Sequence, residues 1–178
     1  MQDSTQERRR FAVPAAEGVF GRIDLSLLDP ADPDHRHFLI LAEHPDVARA
    51  IERGEGEIVV GGAPMNPRLL ITIHEIVANQ LWDDDPPEVW QSARRLLAAG
   101  CERHEILHML GSVVAEQVWE MLHERRPHDR DRFAAALDAL PDSWEASARV
   151  GETVGPPPRS YLTRRRSSSL LQRAGPSS

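Results

Sequence analysis

RHEILHMLGSVVAEQVWEMLHER, residues 103–125, is the stretch that decides the fold. Its apolar positions Ile106, Leu107, Leu110, Val113, Val114, Val118 and Met121 recur at steps of three and four, the spacing of one helix face. Pro127 ends the pattern because proline cannot continue a helical hydrogen-bond ladder. At roughly 100° per residue the apolar face centres near Leu110 and Val114. His104 and His108 lie more than about 90° from that centre, in a stripe with Gly111 and Ala115. Two small residues there let another helix come close, so the stripe reads as a second contact face.

Outward from this helix the pattern stays helical. Asp85 is expected to cap a helix that Pro86 opens, with Val89, Trp90, Ala93, Leu96 and Leu97 inward and Gly100 at its end. Asn66 and Pro67 start the helix before it, which runs to about Trp82 and is apolar over a wide arc around His74. Phe38, Leu39 and Leu41 form a short turn ended by His44-Pro45, since a residue before proline avoids the αR region. A second short helix follows and closes at Gly54, and residues 57–62 read as a lone strand or an extended loop. Residues 130–140 make the last helix, with Trp144 packing after it. The expectation is all-α: a small bundle of five to six helices over residues 19–150. A flexible lead (1–18) and a disordered basic Pro/Ser/Arg-rich tail (151–178) flank it.

Composition excludes several classes. The 178 residues suffice for one core. All 21 basic residues are arginine, a bias that fits a GC-rich bacterial genome. One cysteine, Cys101, allows no internal disulfide, and no leader-like run is seen, so a cytoplasmic location is expected. Leu69 to Ile73 is too short an apolar stretch to span a membrane. The net charge of −7 divides into +1 on residues 1–10, +4 on 151–178 and −12 between them. So acidic a body repels phosphate backbones, and nucleic acid is not expected on the folded part. Cys101 itself reads as a half-buried structural thiol.

His104-Glu105-Ile106-Leu107-His108 spells H-E-x-x-H. Residues four apart share a helix face, so both imidazoles can hold one Zn²⁺ while Glu105 serves as acid/base. His74, on an apolar face, needs partners for its ring nitrogens, and the economical place for it is opposite the His104/His108 stripe. His74, His104 and His108 are therefore the expected metal ligands, with zinc or iron as the divalent ion. Glu105 or a carboxylate such as Glu116 would complete the shell. His44 reads as a helix terminator, while His35 and His37 read as solvated. A zinc peptidase is a further alternative, although the motif opens its helix and Val114 stands where an extended motif has histidine. No second cofactor-binding pattern occurs.

The run Asn66-Pro67-Arg68-Leu69-Leu70-Ile71-Thr72-Ile73-His74, with Asn79-Gln80-Leu81 and Asp85-Pro86-Pro87, resembles an uncharacterised bacterial family, domain of unknown function 1841. Glu43-His44-Pro45 upstream and Arg103-His104-Glu105 with His108 downstream extend the resemblance over roughly residues 35–125. The family implies histidine at position 70 as well as 74. This chain has Leu70, which leaves the fourth ligand to a carboxylate or water. The residues thus predict a candidate divalent-metal site, used for metal-dependent hydrolysis. The alternative is a non-catalytic interaction or dimerisation module, a homo-oligomer or protein partner covering the small-residue stripe and the tryptophans.

Overall fold

The computed structural model describes residues 2–60, 63–125 and 127–145. It contains α1 (Gln2–Ala12), β1 (Val19–Phe20), β2 (Ile23–Asp24), a 3-10 turn (Leu25–Leu27), α2 (Pro33–Glu43) and α3 (Pro45–Glu52). There follow β3 (Ile58–Val60), β4 (Ala63–Met65), α4 (Pro67–Asp83), α5 (Pro87–Ala98), α6 (Arg103–His123) and α7 (Arg130–Asp138). The fold is all-α, with a few more helices than expected and two short antiparallel hairpins.

The central element is α4, which packs against α1, α2, α3, α5 and α6. Its wide apolar arc makes this possible: Leu70, Ile71, Ile73, Val77, Ala78 and Leu81 are all buried. Asn66 caps it by accepting from the Arg68 and Leu69 N–H groups, and Pro67 occupies the first helical position. Leu107, Leu110, Val113 and Val114 of α6 are buried as the period predicts, and Phe133, Leu137, Leu140 and Trp144 close the core. No described helix is long and apolar enough to cross a membrane.

Gly111 and Ala115 are buried, and a Cβ on Gly111 would stand 3.1 Å from Ile73 Cγ2. The small-residue stripe is used inside the chain, to seat α6 on α4. Trp82, Trp90 and Trp144 are buried too, which leaves Trp119 as the half-buried tryptophan.

Four expectations change. The lead is not free: α1 docks on α4, where buried Arg8 donates to the Leu81 and Trp82 carbonyls, and Phe11, Ala12 and Val13 join the core. Its helix carries charge rather than an apolar stripe, so no local period announced it. Residues 57–62 were expected as a lone strand or an extended loop; β3 instead pairs with β4, whose Pro64 disguises it as a loop. Asp85 does not cap α5. Asp84 and Asp85 are taken up in closing α4, their N–H groups reaching Gln80 O, so Pro86 becomes the flanking residue and Pro87 the first helical one. Leu97 and Met121, expected on apolar faces, are 37% and 40% exposed. The expected tail, 151–178, lies outside the described residues.

Candidate metal centre

Three elements converge beside α4. His74 projects from the middle of α4 and is 7% exposed. His104 and His108 stand one turn apart at the start of α6, His104 exposed and His108 half-buried. His44 comes from the sharp junction between α2 and α3, where it ends one helix and begins the next without a side-chain cap bond. The His104 and His108 ring centres are 4.2 Å apart, and those of His74 and His108 5.0 Å. His44 joins them at 4.4 Å from His74, 5.4 Å from His104 and 6.3 Å from His108. The three histidines singled out in the sequence therefore meet, and a fourth meets them.

His44 is the residue that sequence reasoning missed. Its position before Pro45 accounts for the backbone, which hid the ring's second use. A signal did exist: a histidine at a helix start satisfies no N–H by capping, so its ring is free to point elsewhere.

The electrostatics are set by burial. Desolvation first, and neighbouring imidazoles after it, bring His108 down to about 2, His74 to about 3 and His44 to about 4. Burial also lowers His104. Neutral imidazole is the form whose nitrogen lone pair can bind a metal. His108 Nδ1 is buried and has no hydrogen-bond partner. A buried nitrogen left unpaired costs about 1–3 kcal/mol, so its presence calls for an explanation.

The carboxylate whose charge reaches the rings is that of Glu43, which raises both His44 and His104 against the larger effect of burial. Arg103 grips Glu43 with both nitrogens, Nη1 to Oε2 at 2.8 Å and Nη2 to Oε1 at 3.3 Å. The same guanidinium donates to the Phe11 and Ala12 carbonyls at 2.6 and 3.1 Å. One clamp thus ties the His44 junction, the His104 turn and the end of α1. Glu105 is exposed, and the group that registers its charge is Cys101, whose thiol is pushed up by burial first and by Glu105 next. Glu116 is exposed as well. His35 accepts from the Asp29 N–H at 3.0 Å, and His37 pairs with Glu75, so neither is merely solvated.

Among the described residues no group of three or more His, Cys, Asp or Glu side chains is arranged to hold a metal ion. The ring spacing nonetheless fits a metal. An imidazole bound at about 2.0–2.1 Å has its ring centre about 3 Å from the ion, so rings at tetrahedral corners sit about 5 Å apart. Five of the six ring pairs are spaced 4.2 to 6.3 Å apart, around that value.

No curated protein and no solved structure matches the chain. A family profile covers residues 28–139, a span that holds all four histidines, Glu43 and Arg103. The chain belongs to the family described as domain of unknown function DUF1841.

Proposed function

We propose that this chain binds one divalent transition-metal ion through His44, His74, His104 and His108. The observation that carries the reading is the gathering of four neutral rings at ligand spacing, with one buried nitrogen unpartnered. Four imidazoles with no carboxylate among them suit zinc, copper, nickel or iron over magnesium or calcium, which prefer oxygen. Leu70, buried in the hydrophobic core, supplies no ligand, and His44 is the fourth imidazole of the cluster.

Activating water needs an open position on such an ion, and His104, the exposed ring, is the ligand that would yield it; Lewis-acid activation of that water would make the protein a metal-dependent hydrolase acting on an acyl or phosphoryl centre. Glu105 remains the proposed acid/base from its place between His104 and His108, and Glu43 orients its neighbours through Arg103. An interaction module has less to support it, because α4 covers the small-residue stripe. A zinc peptidase lacks a long sheet edge for a peptide among the described residues, whose strands are two or three residues long.

Purified, untagged protein should carry one zinc, iron or related ion per chain by elemental analysis. Alanine at His74 or His108 should abolish it, and alanine at His44 or His104 should at least weaken retention to dialysis. Metal-free protein whose melting temperature ignores added zinc would overturn the reading. Glu105→Gln tests the finer claim: it should keep the metal and lose any hydrolysis of activated esters.

A further inference from the structure

Where α1 and α2 meet the end of α4, arginines gather around Trp82. Arg9 and Arg36 both lie over the Trp82 ring, their Cζ atoms 4.9 and 5.2 Å from its centre. Arg36 is 5% exposed, and its hydrogen-bond acceptors are all uncharged: Asn79 Oδ1 at 3.0 Å, Pro30 O at 2.9 Å and Ala31 O at 3.2 Å. Neighbouring Arg8 is buried on two backbone carbonyls, with the Asp84 carboxylate 3.5 Å from its Nε. Asp84 is the one carboxylate at ion-pair distance from Arg8, Arg9, Arg10 or Arg36 among the described residues. Arg36 is thus held by neutral acceptors alone, in a body whose net charge is negative.

Beside this corner is a cavity of about 290 Å³. Arg9 and Arg10 stand in its wall with Leu25, Leu28, Leu39 and Trp82, and the lining includes no acidic residue. We propose that the cavity binds a small amphipathic carboxylate, its charge on Arg9 and Arg10 and its apolar body against the leucines and Trp82. Guanidinium groups recognise carboxylates through paired hydrogen bonds. A mostly apolar wall with a few convergent polar groups is the usual make-up of a small-molecule site, and this volume limits the ligand to a short-chain or single-ring acid. The site lies apart from the four histidines and stands whether or not they bind metal.

Calorimetric titration of the full chain with octanoate, octylammonium and octanol tests it. Octanoate should bind at one site per chain, with octylammonium and octanol at least about tenfold weaker, because charge-assisted hydrogen bonds supply that margin. Both Arg9 and Arg10 are exposed, so R9Q/R10Q should fold normally while weakening octanoate about tenfold. Ala16→Phe should fill the cavity and abolish binding. If that variant fails to fold, Ser26→Phe, at an exposed lining position, serves the same purpose. No octanoate binding, equal binding of octylammonium, or indifference to R9Q/R10Q would overturn the proposal.

Discussion

His44 shows how one residue can serve backbone and site at once. Preceding Pro45, it ends α2 and starts α3, and its ring lies against those of His74 and His104, 4.4 and 5.4 Å away. The other three rings were legible in the sequence because helix periodicity alone orients them: His104 and His108 by their spacing of four, His74 by its apolar surroundings. His44 was not, because a junction has no period. The same residues set a pH dependence. Burial lowers the folded-state values of His44, His74, His104 and His108 below the ordinary 6.5, so below that pH the unfolded chain takes up protons that the folded one does not. Stability of chelator-treated protein is thus fully present above pH 6.5 and lost as pH falls from 6.5 through about 4, where His44 titrates in the fold. Urea unfolding at several pH values checks this. The loss should be smaller in His74→Leu and His108→Leu, since each removes one such group, and an equal loss in wild type and variants would contradict it.

At the scale of elements, the site depends on how α6 seats on α4. Gly111 leaves 3.1 Å between a would-be Cβ and Ile73, so a larger side chain must push the helices apart. Gly111→Val should cost about 1–3 kcal/mol by overpacking and also weaken metal binding, because it separates His108 from His74. Denaturant melts paired with metal titrations measure both. Arg8→Ala should cost about 1–3 kcal/mol by stranding the Leu81 and Trp82 carbonyls, and should leave the histidines in place. The bulk of this packing could be read from residues: the apolar period of α4, those of α5 and α6 apart from Leu97 and Met121, the Asn66-Pro67 start and the glycine stops stand where they were expected. What could not be read depended on distant partners. α1 owes its order to carbonyls more than seventy residues away, and β4 exists only because β3 pairs with it.

For the whole molecule, the arrangement is a helical frame whose central helix holds a cluster of imidazoles that burial keeps neutral. Arg103 links that cluster to α1 and, through Glu43, to the α2–α3 junction. Because an ion held only by the folded chain adds RT ln(1 + [M]/Kd), metal at about a hundredfold over Kd should raise unfolding free energy by about 2.7 kcal/mol. The rise should vanish in His74→Ala. X-ray absorption at the edge of the bound metal tests the centre most directly. The predicted spectrum has a nitrogen shell at about 2.0–2.1 Å with the multiple scattering of at least three imidazole rings. A shell of oxygen alone, or of a single imidazole, would contradict it.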